Sequence, residues 1–355
     1  MYRPDYVIGN GWLKQVGQIE AAREVIQMLP LSVDWQMKLK DLVVVTAVEN
    51  GLKTDGVKVT GLTVKKIIDD DPGREEMADE VIKRLSLNND KWAVQAVMNY
   101  INGRKYVEQL IHLGGGEMDS SLMKDVMRTG SLLTEKLLPA DNLGEYRKTE
   151  VVERWARDWW KQPVAIEVTY QMDDLWSWWR SDAAKQLYRP MAVAILTYEW
   201  LRIRPLTMAN GRVAGLMAWL LLSGSGYYLN GWYSVEEIMD WSIMSQGDLS
   251  LWIEDFLTNL AKASGMIKET VKRLSGGEVK VRERVIGFSR DLTSRQKVLV
   301  ELLKLRRRIT MGMAKEALPG ISEDTIWRDL KMLLKKRVVK KKGSTRGTVY
   351  MLKSD

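Results

Sequence analysis

The stretch LTYEWLRIRPLTMANGRVAGLMAWLLLSGSGY, residues 196–227, carries the clearest structural signal in the chain. It predicts an apolar helix that starts at Asn210, since helix starts favour Asn and Gly. The apolar run from Val213 to Ser223 is only about three helical turns long. A helix of that length is too short to cross a bilayer. The rest of the chain has no longer apolar run, so no membrane partner is expected.

The composition is that of a globular protein with more than one domain. The chain has 355 residues, of which 45% are hydrophobic and 28% charged, and this length suggests two or three domains. The first residues, MYRPDYVIGNGW, lack the basic-then-apolar order of a signal peptide. These observations predict a soluble, cytoplasmic protein.

Cysteine and histidine usage excludes several kinds of site. The chain has no cysteine, which rules out disulfides and thiolate metal sites. It has one histidine, His112, which rules out any mechanism that needs two. Within EQLIHLGGGE, His112 is predicted to be a helix-end residue beside a glycine turn, where histidine is favourable.

The pattern of residues predicts a mainly helical protein. Amphipathic stretches cover Gln15–Met28 and Asp90–Gln109, and between them a turn with Gly51 and Gly56 is expected. Turn and extended signals mark an irregular patch at 138–163. The predicted boundaries are an N-terminal helical region at 1–110, a helical core at 111–275, a linker at 276–289 and a C-terminal module at 290–355.

The charge of the chain is concentrated at its C-terminal end. Residues 290–355 contain 18 Lys and Arg but only 7 Asp and Glu, a net charge of +11, whereas the remainder carries −3. A mildly acidic body therefore carries a strongly basic tail. This asymmetry indicates a polyanion as the partner of the tail.

The C-terminal module has the element order of a winged helix-turn-helix. Its first helix is capped by Asp291 or Thr293 and buries Val298, Leu302 and Leu305; its second is ITMGMAKEALPG, stopped by Pro319-Gly320. Ser322 caps a third helix, whose predicted buried stripe is Ile326, Leu330, Leu333 and Leu334. A two-stranded hairpin with its tip at Gly343–Gly347 follows.

Double-stranded DNA is the predicted partner of this module. The N-terminal turns of the third helix suit a major groove, and the basic hairpin suits a phosphate backbone. The alternatives are a merely solvated charged surface or a hairpin that binds protein. The candidate DNA-binding residues are Thr325, Trp327, Arg328, Lys331, Lys340, Lys341, Lys342 and Arg346.

The stretch at 204–215 resembles the signature of the Fic family, HPFx[DE]GNGRxxR, which here reads RPLTMANGRVAG. Fic proteins typically transfer AMP from ATP to a hydroxyl on a target protein. GEYRKTEVV (144–152) is similar to the family segment that opens a short β-hairpin flap, and 163–179 resembles the tryptophan-rich helix after it. TAVENG (46–51) resembles the family's inhibitory helix, with Glu49 at the glutamate position. The resemblance implies a Fic-like helical core.

Three positions depart from that signature. Arg204 stands where the family has its histidine base, and a guanidinium stays protonated near neutral pH. Met208 replaces the acidic residue that holds magnesium, and a thioether has no affinity for a hard cation. Gly215 replaces the arginine that holds the terminal phosphate and pairs with the inhibitory glutamate. No catalytic residue and no cofactor are therefore expected.

Other signature residues remain. Asn210, Gly211 and Arg212, with Arg204 beside them, form either a vestigial nucleotide or anion site at a helix start or a turn and cap in which Arg212 pairs with an acidic neighbour. Glu49 is expected to pair with Arg212 or Arg204, or to cap a helix.

Three functions follow as hypotheses. The first is a DNA-binding transcription regulator with a catalytically degenerate Fic-like domain, acting as a homodimer or with a protein partner. The second is a Fic-type AMP-transferase with a non-standard active site, which would need ATP and magnesium. The third is a protein-interaction module, against which a core role of the tryptophans must be weighed. The tryptophans concerned are Trp155, Trp159, Trp160, Trp176, Trp178 and Trp179.

Overall fold

The computed structural model of the chain divides into two compact units, residues 1–277 and 278–355. It is mainly α-helical with one small antiparallel sheet, as the sequence predicts. The residues that the structure describes are 2–9, 11–29, 33–114, 121–150, 162–227, 232–240, 243, 246–274, 293–306, 308–318, 321–336, 338–343 and 348–352.

The described part of the first unit consists of helices and connecting turns. Predicted amphipathic segments become α1 and α5, and the side chain of Asp90 caps α5 by accepting from the Ala93 N–H. The helices are α1 (Trp12–Met28), α2 (Val33–Lys53), α3 (Gly61–Asp70), α4 (Ala78–Leu85), α5 (Lys91–His112), α6 (Leu122–Thr134), α7 (Ala165–Trp179), α8 (Asp182–Gln186), α9 (Arg189–Ile203), α10 (Asn210–Leu222) and α11 (Leu249–Leu274).

Helix α10 is the centre of this unit. Every residue from Asn210 to Leu222 is buried, as expected for a helix that is apolar on nearly all sides. It packs against α5, α6 and α9, while α2 packs against α5 and α10. The regions 1–110 and 111–275 therefore share one hydrophobic core.

The described tryptophans of α7 are core residues. Trp176, Trp178 and Trp179 are all buried, so the core interpretation is confirmed for these three. Trp155, Trp159 and Trp160 lie outside the described residues. His112 is the last residue of α5, as predicted, with its Nε2 3.7 Å from Glu108 Oε1.

The prediction for Gly51 was wrong. Gly51 is not part of a turn but lies within α2, and the turn comes at 54–56, where Gly56 has a φ of +74°. Gly51 is buried against the ring of Tyr100 on α5. A glycine in this helix is therefore explained by close helix packing.

Gly51→Ala is expected to lower the free energy of unfolding by about 1–3 kcal/mol through overpacking. A Cβ at this position would overlap the Tyr100 ring, 2.8 Å from Cζ. The control is Gly17→Ala in α1, where a Cβ would meet nothing within 4 Å. This change should stabilise by about 0.5–1 kcal/mol because alanine favours helix. Urea unfolding of both variants checks the pair, and two stabilising results would contradict the packing.

The expected irregular patch at 138–163 is described at both ends. The described residues 138–150 contain turns and a short 3₁₀ helix at Ala140–Asn142, whereas 151–161 and the linker 276–289 lie outside the described residues. Within the described parts of the chain, no helix is long and apolar enough to cross a membrane.

The described residues of the second unit form three helices and a three-stranded sheet. Strand β3 lies between β1 and β2 and is antiparallel to both. Ser322 caps α14 by accepting from the Thr325 N–H, as predicted. In chain order the elements are α12 (Ser294–Arg306), β1 (Arg308–Ile309), α13 (Met311–Ala317), α14 (Glu323–Lys335), β2 (Val339–Lys342) and β3 (Val349–Leu352).

One detail of this unit differs from the sequence prediction, and Thr293, one of the two caps predicted for α12, is confirmed. The sheet has a third strand, because Ile309 pairs with Tyr350 in β1–β3 instead of starting the second helix. The cap of α12 is Thr293, which accepts from the Gln296 N–H while the Gln296 side chain accepts from the Thr293 N–H. Asp291 lies outside the described residues.

The residues that α12 buries also differ in part from those predicted. Leu299, Leu302 and Leu303 are buried, whereas Val298 is only partly so and nothing is described of the Leu305 side chain. On α14, by contrast, the predicted stripe is confirmed, with Ile326, Leu330 and Leu333 buried and Leu334 partly buried.

Candidate functional site

The loop between α9 and α10 reverses the chain through two left-handed residues. Arg204 has a φ of +49° and Ala209 a φ of +67°, a conformation that costs a residue with a Cβ about 1–2 kcal/mol. The Arg204 N–H donates to the Trp200 carbonyl at 2.8 Å and ends α9. The Arg204 side chain is buried, so this cation lies inside the unit.

The Asn210 side chain holds the loop together by hydrogen bonds to the Leu206 backbone. Its Oδ1 accepts from the Leu206 N–H at 2.9 Å, and its Nδ2 donates to the Leu206 carbonyl at 2.9 Å. The carbonyl of Asn210 accepts from Trp200 Nε1 at 3.1 Å. Asn210 is buried, and its contacts fit the turn-and-cap interpretation better than an open anion site.

Arg212 forms an ion pair with Asp55, in the turn that follows α2. Its side chain is fully buried, and Nε donates to Asp55 Oδ2 at 2.5 Å while Nη1 donates to the Leu133 carbonyl at 3.2 Å. Nη2 has no hydrogen-bond partner among the described residues. Burying a charged guanidinium costs desolvation free energy. The Asp55 carboxylate offsets this cost by pairing with Arg212. Arg212 thus pairs with an acidic neighbour that the sequence did not identify.

A buried carboxylate occupies the space beside Gly215. A Cβ on Gly215 would lie 3.0 Å from Glu236 Oε1 and 3.2 Å from its Cγ. Tyr100 donates its hydroxyl to Glu236 Oε1, and Ser234 Oγ donates to Oε2 at 2.7 Å. Burial, together with the Glu236 charge, raises the pKa of Tyr100 well above its usual value, so Tyr100 keeps the proton that it donates.

Glu49 belongs to α2, and its carboxylate lies beside the first residue of α3. Both of its carboxylate oxygens are 3.2 Å from the position that a Cβ on Gly61 would take, and the first turn of a helix favours negative charge. The carboxylate partner of Arg212 is Asp55 rather than Glu49. The side-chain cap of α3 is Thr60, which accepts from the Thr63 N–H, so Glu49 favours this helix start through its charge and not as its cap.

Sequence reasoning missed the role of Arg147, although it lies in the quoted segment 144–152. Its buried guanidinium donates from Nε to the Arg204 carbonyl at 2.8 Å and from Nη2 to the Pro163 carbonyl at 2.6 Å. Burial lowers the pKa of Arg147. Arg147 therefore ties the 204–209 loop to Pro163, two residues before α7. The arginine of GEYRKTEVV was the available signal in the sequence.

The predicted DNA-binding residues of α14 lie on its outer face. Asp324, Trp327, Arg328 and Lys331 are exposed, and Thr325 is partly buried. Arg328 Nη2 lies 2.5 Å from Asp324 Oδ2, and Lys331 Nζ lies 4.7 Å from the centre of the Trp327 ring. On the opposite side, buried Asp329 accepts from Arg295 Nε at 2.8 Å and Gln296 Nε2 at 3.1 Å, which holds α14 against α12.

The hairpin beside α14 is the basic element of this unit. Val339 is buried, whereas Lys340, Lys341 and Lys342 are exposed along β2. None of these three lysines has an acidic partner within 4.0 Å among the described residues. Arg346, also predicted to bind DNA, lies outside the described residues.

The described elements define a mainly α-helical protein built around one enclosed apolar helix, with a basic α+β unit at its C-terminal end. No protein-family model and no curated protein matches the chain. Several solved structures do match the chain. A Fic family protein from Desulfovibrio desulfuricans G20 matches at 17% identity, covering 100% of this chain and 99% of that one, with a TM-score of 0.58.

Two further solved structures agree. A Fic domain containing signaling protein from Bacteroides thetaiotaomicron VPI-5482 has 15% identity, covers 75% of this chain and 99% of that one, and has a TM-score of 0.54. Fic-1 from C. elegans has 16% identity, with 74% and 71% covered and a TM-score of 0.52. The chain therefore has the Fic-domain fold, and similarity at this level establishes the fold alone.

Proposed function

We propose that this chain is a DNA-binding regulator whose C-terminal unit is a winged helix and whose Fic-fold unit does not transfer AMP. The observation that carries DNA binding is the row of exposed lysines, Lys340–Lys342, beside a capped helix with an exposed outer face. Exposed lysines without acidic partners are able to neutralise phosphates of a duplex.

The order of elements in this unit supports the same function. Helix α13 is separated from α14 by only five residues in the chain, and the paired strands β2 and β3 follow α14. In helix-turn-helix proteins, the second helix of the motif places its N-terminal residues against base edges. We assign this role to α14 and the role of the wing to the hairpin.

The Fic-fold unit is proposed to be catalytically degenerate because the residues present do not suit a magnesium nucleotide. Met208 is a thioether packed against the core and offers no ligand that magnesium prefers. Arg212 is already engaged by Asp55, and the Glu236 carboxylate lies beside Gly215. A nucleotide phosphate would meet negative charge there. The unit then serves dimerisation, ligand sensing or partner docking.

Fluorescence anisotropy of a labelled duplex across a salt series, with the full chain, tests the DNA-binding part. The logarithm of the affinity is expected to fall linearly with the logarithm of the salt concentration, by about 0.9 per phosphate contacted. Absence of binding at low salt would refute DNA binding and leave a protein-docking role for the hairpin.

Calorimetry with ATP and magnesium tests the second part. No heat of binding is expected from the full chain. Tight, magnesium-dependent binding that Asn210→Ala abolishes would instead support the alternative, an AMP-transferase with a non-standard site. Transfer of label to a protein hydroxyl under the same conditions would establish that alternative.

A further inference from the structure

The charged residues at the start of α14 are largely neutralised within the unit. Arg328 pairs with Asp324 one turn earlier at 2.5 Å, and Glu323 pairs with Lys315 of α13 at 2.8 Å. The first two turns of α14 therefore carry no net charge toward an approaching duplex. On the hairpin, Lys340, Lys341 and Lys342 have no such partners among the described residues. Phosphate attraction is thus concentrated on the hairpin rather than on the first two turns of α14.

Trp327 is the apolar group at the centre of the exposed face of α14. It is 46% exposed, with only the Lys331 ammonium recorded over its ring. Among the tryptophans whose side chains the structure describes, it alone is exposed; the rest are buried or partly buried in the first unit. An indole held in water on an otherwise polar helix face has large contact area to offer a partner.

We propose that Trp327 selects the DNA sequence by packing against the C5-methyl group of a thymine, while the hairpin lysines supply the salt-dependent affinity. This inference rests on the proposed DNA binding. Trp327 is the fifth residue of α14, within the turns that enter the major groove. The thymine methyl is the apolar feature of that groove. It is therefore the feature that the apolar surface of an indole can contact.

The test begins with duplexes selected from a random-sequence pool by the full chain. Each thymine of a selected duplex is then replaced by uracil, which removes the methyl and leaves the hydrogen-bonding edge unchanged. Wild type should lose about four-fold in affinity at one position, as expected for one methyl-sized group returned to water. Trp327→Ala should bind the thymine and uracil duplexes equally and keep the wild-type salt slope.

Two variants control for general effects. Met332→Ala removes another exposed apolar side chain of α14, 43% exposed and about 140° around the helix from Trp327, and it should keep the four-fold preference. Trp327→Phe retains an aromatic ring and should keep part of it. Circular dichroism checks that each variant is folded.

The outcomes separate the two proposals. If the full chain does not bind duplex DNA with a salt dependence, the proposed function fails and the inference fails with it. If the chain binds, but no uracil substitution matters or Trp327→Ala keeps the thymine preference, the inference alone is overturned. Loss of the preference only in the Trp327 variants supports it.

Discussion

Asp55→Ala is expected to lower the free energy of unfolding by about 3 kcal/mol, the lower end of the cost of breaking a buried ion pair. The reason is that Arg212 has no exposed side-chain surface, and Asp55 is the carboxylate that compensates its charge. The Asp55 side chain is 12% exposed, which lets some water reach the guanidinium and limits the loss. Urea unfolding followed by tryptophan fluorescence measures the change.

Asp69→Ala is the matched control for this prediction. Asp69 also forms an ion pair, with Lys65 at 3.1 Å, but 59% of its side chain is exposed. Exposed pairs between residues four apart contribute only about 0.3–0.5 kcal/mol. If the two aspartate variants lost the same stability, Asp55 would not be compensating a buried charge.

Combining Asp55→Ala with Arg212→Met is expected to recover most of the lost stability. The double variant removes the uncompensated charge and fills the space with an apolar side chain, an exchange that is often neutral or better. A double variant no more stable than Asp55→Ala would show that the Leu133 contact of Arg212, rather than its charge, dominates.

Replacing Lys340, Lys341 and Lys342 together by glutamine is expected to lower the salt slope of duplex binding by about 2.7, at about 0.9 for each lost phosphate contact. A fourfold rise in salt should then cost the wild type about 40-fold more affinity than it costs the variant. All three lysines are exposed on β2, so the substitutions should leave the fold intact. Anisotropy across the salt series measures both slopes.

A second triple variant lowers the net charge of the chain by the same three charges. Lys14, Lys66 and Lys262 are exposed on the first unit, and their replacement by glutamine should leave the slope unchanged. Equal effects of the two triple variants would mean that the overall charge of the chain, rather than the hairpin, sets the affinity.

Local chemistry made much of the fold predictable. Ser322 caps its helix as expected, because a cap depends on residues three positions apart. The apolar run of α10 likewise predicts its helix. Strand β1 was missed, since two residues are too few to show a period. Gly51 was misplaced because a glycine signals either a turn or close packing, and only Tyr100 distinguishes the two.

The candidate site was predictable in its chemistry but not in its contacts. Sequence alone determined that positions 204, 208 and 215 hold a guanidinium, a thioether and no side chain, because the identity of a residue sets what it can donate, accept or ligate. Only the tertiary structure decided that Arg212 is engaged by Asp55, 157 positions away, and that Glu236 lies beside Gly215. Pairings between distant positions leave no periodic signal in the sequence; packing of helices around α10 creates them.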